Sequence, residues 1–281
     1  MSELINHTIN NKLLINNIIG SGSFSNVYSC KNIINNKEYA LKIEFDTTPY
    51  KLLTHETKIL NYLQNKGINI PNIIWYGKYL NYRCLCITKY EMNLTEYINS
   101  NDFTEFEIID IIQKIINIIQ NIHSNFIIHR DIKPENIMIK NNQFYIIDFG
   151  FSIFYINDNN THIINKTSNS IIGSPKYTSI HIHDGNVGSR RDDLISIGYI
   201  LIESLHKQLP WDVNIENDGT YKIHNILNIN NQNKKRFKSI SYIESLRVNE
   251  NIISYLTYLY NLSFEDKPSY EYLINALIRT Y

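Results

Sequence analysis

Up to residue 88 the apolar positions come in short runs broken by turn residues, the pattern of strands, whereas beyond it they extend into longer stretches at helical spacing. Lys12 to Gly20 reads as one strand, and a second runs on through Cys30 after a turn at Ser21, Gly22, Ser23, Phe24, Ser25, Asn26 and Val27. Asn35 and Asn36, which tolerate positive φ, predict a hairpin turn into a strand over Glu38, Tyr39, Ala40, Leu41, Lys42 and Ile43. Leu52 to Gln64 predicts a helix that stops at Gly67, and Pro71 to Gly77 and Arg83 to Thr88 predict two more strands. Strand character is lost over Lys89 to Asn93, which places a boundary between a smaller sheet-rich part and a larger helical one.

In the second part Thr104 and Glu107 form a capping box, with Phe103 and Ile108 spaced to staple the helix start. Apolar residues then recur through Ile122. Asp110, Gln113, Lys114, Asn117 and Gln120 break this isoleucine-rich stretch, so it predicts a buried core helix and not a membrane span. The next stretch packs the most chemistry. Between two short apolar runs lies a loop carrying Asp131, Lys133 and Asn136, where carboxylate, ammonium and amide can converge on one point. After a turn at Asn141 and Asn142, an apolar run delivers Asp148 followed by Phe149 and Gly150, as in a strand leading into a metal-binding corner.

Composition narrows the partners. The chain has 281 residues and 43% hydrophobic content, enough for one large or two closely joined lobes with a real core. Lys plus Arg and Asp plus Glu both number 27, so no overall field would attract nucleic acid or an anionic membrane, and neither partner is expected. Cys30, Cys84 and Cys86 are sparse and odd in number, which favours a reducing compartment over a disulfide framework. The N-terminus lacks a basic region followed by an apolar one, so a soluble, intracellular protein, in cytoplasm or nucleus, is expected. His181, His183 and Asp184 imitate metal spacing, but nothing completes four ligands, and a solvated loop is expected there.

The loop at 129–136 and the corner at 148–150 resemble the His-Arg-Asp-x-x-x-x-Asn and Asp-Phe-Gly elements of the protein kinases. Strand, glycine turn, strand around Ile19 to Val27 matches the kinase nucleotide loop, with Ser25 in place of the third glycine, better than a dinucleotide or Walker loop, which would open a helix. Ala40-Leu41-Lys42-Ile43 is similar to the kinase lysine strand. The resemblance implies ATP and Mg²⁺, with Asp131 as acceptor of the hydroxyl proton, Lys133 reaching the transferring phosphate, Asn136 and Asp148 as metal ligands, and Lys42 on the α and β phosphates. It implies that Glu56 pairs with Lys42, that Ile19, Gly20, Ser21, Gly22, Ser23, Phe24, Ser25, Asn26 and Val27 cover the nucleotide, and that Thr88, Lys89 and Tyr90 offer backbone groups to adenine. The Asp-x-Lys-Pro-x-Asn form looks like that of serine/threonine kinases.

A narrower resemblance lies further on. Gly173-Ser174-Pro175-Lys176-Tyr177-Thr178-Ser179-Ile180-His181, Ser189-Arg190-Arg191-Asp192-Asp193, Leu209-Pro210-Trp211 and Phe264 to Pro268 closely resemble segments of the casein kinase 1 family. That family implies an α+β, bilobal protein-kinase fold over 12–281, with an N-lobe at 12–88, a C-lobe including the hinge at 89–281, and 1–11 as an N-terminal extension. Asp193 would then hydrogen-bond the catalytic-loop backbone, since a buried charge needs a partner. Protein substrates with acidic or already phosphorylated segments are implied, met at Ser174 and Lys176 by a monomer. A second basic cluster, Lys234, Lys235, Arg236 and Lys238, reads either as the other side of that anion site or as a solvated loop. The alternative from another class is a pseudokinase scaffold, which would normally show damage at Lys42, Asp131, Asn136 or Asp148; all four are intact.

Overall fold

The computed structural model describes residues 4–22, 25–167, 171–211, 238–245 and 248–278. The chain divides into two compact units, Met1–Asn93 with Met138–Gly150, and Leu94–Ile137 with Phe151–Tyr281. The first is rich in sheet and the second in helix, the mixed α+β class expected from the sequence.

In the first unit, β1 (Thr8–Ile9), β2 (Leu13–Ser21), β3 (Asn26–Asn32), β4 (Glu38–Phe45), β5 (Ile73–Tyr79) and β6 (Tyr82–Thr88) form one antiparallel sheet in the order β1-β2-β3-β4-β6-β5. Asn36, at φ 60°, turns β3 into β4, because its short amide side chain makes the left-handed region accessible. Ile15, Tyr28, Leu41, Cys30, Cys84 and Cys86 meet in the core of this sheet. Burial pushes the Cys84 thiol up to about 12, so it is an inert packing group. Helix α1 (Leu52–Gln64) lays Leu53, Ile59, Leu60 and Leu63 against β4, β5 and β6. A small sheet follows, with β7 (Met92–Asn93), β9 (Ile137–Lys140) and β10 (Gln143–Ile146) in the order β10-β9-β7.

The second unit is mainly helical among the described residues. After the short α2 (Leu94–Asn99), α3 (Glu105–Ser124) begins on the expected box: Glu107 N–H donates to Thr104 Oγ1, and the Glu107 carboxylate accepts the Thr104 N–H at 2.8 Å. All its isoleucines but Ile109 are buried, and the helix packs on α5 (Arg190–His206) and on the helix at 270–278. Short strands β8 (Ile127–Ile128) and β11 (Ile153–Phe154) pair antiparallel beside it, and α4 (Ile180–His183) is a single turn. After α6 (Ile240–Ser245), α7 (Glu250–Asn261) packs on α5, and α8 (Tyr270–Ile278) packs on both α7 and α3. Among the described residues no helix is long and apolar enough to cross a membrane.

Helix α5 is buried from Arg190 to Ile202, so it must be small where another helix crosses it. Gly198 supplies that: a Cβ there would stand 2.6 Å from Leu256 Cδ2 and 3.0 Å from Tyr255 Cε1. Gly198→Val is expected to lower unfolding free energy by about 1–3 kcal/mol through overpacking. Urea unfolding of the variant checks this; an unchanged midpoint would mean that α5 and α7 do not meet at Gly198.

Candidate active site

The sequence-predicted residues fall into two charged clusters, one in each unit. In the second unit, α3 and α5 bring His123 and Asp193 beside the turn at His129 and Arg130. Asp193 accepts the His129 N–H at 2.7 Å on Oδ2 and the Arg130 N–H at 2.8 Å on Oδ1, and His123 Nε2 lies 3.0 Å from Oδ2. Burial would push this carboxyl up, but His123 and the His129 amide outweigh it and hold Asp193 below the ordinary carboxylate range. The backbone needs this support, since Arg130 sits at φ 68°, a region a long side chain rarely adopts. Arg130 Nε also donates to the Phe151 carbonyl at 2.6 Å.

That turn presents Asp131, which is 6% exposed. Its Oδ2 receives Lys133 Nζ at 3.0 Å and Asn136 Nδ2 at 3.0 Å, and its Oδ1 accepts the Ser174 N–H at 2.9 Å. Pro134 starts the 3-10 turn Pro134–Asn136, where a missing N–H costs nothing, and this turn carries Asn136 back to Asp131. Ser174 reaches Asp131 because Gly173, at φ 94°, lets the two segments touch; a Cβ on it would lie 2.4 Å from the Arg130 carbonyl oxygen.

In the first unit β4 carries Lys42, 6% exposed, whose Nζ donates to Glu56 Oε1 at 2.7 Å and to Asp148 Oδ1 at 3.2 Å. Burial alone would push Lys42 down, but the Asp148 and Glu56 carboxylates outweigh it and hold it protonated, above its ordinary value. Glu56 is pushed up by burial, against which Lys42 and the Phe149 N–H act. Asp148 stands at φ 67° with its side chain 43% exposed. In the glycine loop, Gly20 and Ser21 close β2, and Asn26 and Val27 open β3; Ile19 is exposed. Gly22 N–H donates to the Ser25 carbonyl at 2.9 Å and Ser21 Oγ to Asn26 Oδ1 at 2.8 Å, while Ser23 and Phe24 lie outside the described residues. Thr88 N–H is committed to the Asn72 carbonyl at 3.1 Å, so of the three expected hinge groups this donor is already spent.

Magnesium keeps several waters and takes only one or two protein carboxylates beside its phosphates. In the first unit the half-exposed Asp148 carboxylate is a hard oxygen donor of that kind; in the second, Asn136 spends its Nδ2 on Asp131. Among the described residues no cluster of three or more His, Cys, Asp and Glu could hold a metal unaided.

The expected anion site is different from its sequence reading. Lys176 Nζ pairs with Glu203 Oε1 at 2.6 Å, and the Tyr177 hydroxyl donates to Glu203 Oε2 at 2.5 Å. Glu203 was not singled out from the sequence, and only its position on α5 brings it there. Lys234, Lys235 and Arg236 lie outside the described residues. Lys238 is not part of an exposed basic cluster: it is fully buried, and Nζ donates to the carbonyls of Pro175 and Thr178 at 2.9 and 2.5 Å and lies 3.1 Å from His183 Nε2. The faces of Tyr199 and Trp211 flank it at 5.1 and 5.3 Å. Residues 180–183 are likewise no solvated loop but the turn of α4, capped by Ser179 Oγ accepting the Ile182 N–H.

A family model of the protein kinase domain matches residues 13–277, and the chain belongs to that family. It is therefore a phosphotransferase of the protein kinase type, with ATP as phosphate donor and protein as acceptor.

Gly173→Ala is expected to reduce phosphate transfer roughly tenfold or more, because strained backbone and the Arg130 contact would pull Ser174 from Asp131. Steady-state kinetics checks it; full activity would separate the 173–174 segment from Asp131.

Proposed function

We propose that this chain is a serine/threonine protein kinase of casein kinase 1 type, transferring the γ-phosphate of Mg-ATP to protein Ser or Thr, with its kinase domain over 12–281 divided at residue 88. The observation that carries the reading is Asp131, a buried carboxylate with a cation, an amide and a backbone N–H converging on it. In that role Asp131 accepts the proton of the substrate hydroxyl, and Lys133, two residues on, balances charge on the moving phosphate. Lys42, kept protonated, orients the α and β phosphates, and Glu56 fixes its reach. Asp148 and Asn136 are assigned to Mg²⁺, which when bound neutralises charge on the phosphate oxygens. The glycine loop from Ile19 to Val27 is assigned to covering the nucleotide.

The casein kinase 1 reading is supported by contacts among the segments that carry the resemblance. Arg190 donates to the Glu265 carbonyl, and Trp211 Nε1 donates to the Lys176 carbonyl at 2.7 Å. Acidic or primed substrates are assigned to Lys176, with Ser174 beside it and Lys235 as a further cation. An anionic segment must then compete with Glu203, a partly exposed ion pair worth about 0.2–1 kcal/mol. Three free, buried thiols agree with a reducing intracellular setting.

Radiolabelled ATP with casein, followed by phosphoamino-acid analysis, tests the activity. Asp131→Asn should keep fold and ATP binding and lose roughly 10²- to 10⁴-fold in turnover. Undiminished turnover would remove Asp131, and phosphotyrosine alone would overturn the serine/threonine assignment. Lys176→Glu should raise the Michaelis constant for a phosphorylated peptide roughly two- to tenfold and change that for a neutral peptide little. Equal effects on both peptides would remove the anion site and leave the transferase.

A further inference from the structure

Glu44 is a buried carboxyl that phosphate transfer does not use. It follows Lys42 by two residues on β4, so both side chains leave the strand on one face, and it is 2% exposed. Its Oε2 accepts the Leu53 N–H at 3.2 Å, with the Leu52 N–H also directed to the carboxylate. Its Oε1 is buried with no hydrogen-bond partner.

Helix α1 needs that acceptor. The first N–H groups of any helix lack intrahelical partners. Here the N-cap residue Lys51 makes no side-chain cap, and the first turn contains no acidic residue. The same turn is bound to the neighbouring strands: Arg83 Nη1 donates to Thr54 Oγ1 at 2.8 Å, and the Tyr76 hydroxyl lies 2.8 Å from Thr54 Oγ1. Leu53 and Glu56, three residues apart, share a helix face. Strand β4 therefore grips α1 twice on that face, through Glu44 at its first turn and through Lys42 at Glu56.

We infer that Glu44 is a positioning residue that pins the first turn of α1 to β4 and so keeps Glu56 against Lys42. The carboxylate stands in for the missing N-cap, supplied from a strand and not from the helix's own sequence. Without it the first turn has lost its acceptor and one of its two anchors on β4, and Glu56 moves although neither member of the ion pair has changed. The inference rests on the proposed role of Lys42 at ATP for its readout.

A double-mutant cycle on the full chain tests it, with Glu44→Leu and Glu44→Gln each alone and combined with Glu56→Gln. Fluorescent-nucleotide affinity, kcat and KM for ATP, and amide exchange at Leu53 are measured. Glu44→Leu is expected to lower kcat/KM for ATP about tenfold and to speed exchange at Leu53. Glu44→Gln, which keeps an acceptor oxygen, should recover most of the loss. In the Glu56→Gln background Glu44→Leu should cost less than about twofold, because the pair it positions is already broken. Additive losses would overturn the inference and leave Glu44 a stability residue. If Glu44→Leu does not fold, the same cycle is read with Glu44→Gln, where unchanged Leu53 exchange or additivity is the contrary result. If wild type binds ATP without transferring phosphate, the cycle is read in nucleotide affinity, so failure of the kinase mechanism and failure of this inference remain distinct.

Discussion

The loop that carries Asp131 depends on one buried carboxylate. Asp193 receives two successive backbone N–H groups, His129 and Arg130, at 2.7 and 2.8 Å, and these bonds hold Arg130 at φ 68°. A non-glycine residue in that region costs about 1–3 kcal/mol, so the turn persists only where the surroundings over-determine it. Hydrogen bonds to an ionised acceptor are about twice as strong as neutral ones, and two of them on adjacent amides suffice. The charge is itself made tolerable by His123, whose other nitrogen lies 2.7 Å from the Tyr270 hydroxyl. Helices α3, α5 and α8 thus meet at a polar point inside an apolar bundle, and Asp131 stands on it.

The first unit solves the opposite problem, a buried cation. Lys42 loses its hydration and regains it as two carboxylates, one buried and one half-exposed. Among the described residues, removing Glu56 would leave Asp148 as the one carboxylate on that ammonium. A buried charge stripped of a partner costs more than the pair contributes. In both clusters a charge is fixed by groups supplied from different elements, which is why each element's place matters more than its own stability.

Much of this was legible in the sequence because its signals are local. Asn36 marked a hairpin, Thr104 with Glu107 marked the start of α3, and the predicted bounds of α1 are those observed, Leu52–Gln64. β5 starts at Ile73 and not at Pro71, which has no N–H to give a ladder. What escaped depends on partners far along the chain. Lys238 read as one of a run of exposed bases, yet it is buried because carbonyls at 175 and 178 and rings at 199 and 211 converge on it. The 180–183 segment read as a loop because neither its cap on Ser179 nor its contact with Lys238 shows as a pattern. Left-handed Arg130 carries no local signal either, since it is not glycine, asparagine or aspartate.

Asp193 gives the most direct test. In Asp193→Asn the shape is kept, but one of the two acceptor oxygens facing His129 and Arg130 becomes an N–H donor. Amide hydrogen exchange at those two residues should speed up by at least tenfold, while phosphate transfer falls and ATP affinity, which the proposed function assigns to Lys42 in the other unit, is unchanged. Exchange as slow as in the wild type, together with full transfer, would contradict the claim that this carboxylate holds the loop on which Asp131 stands.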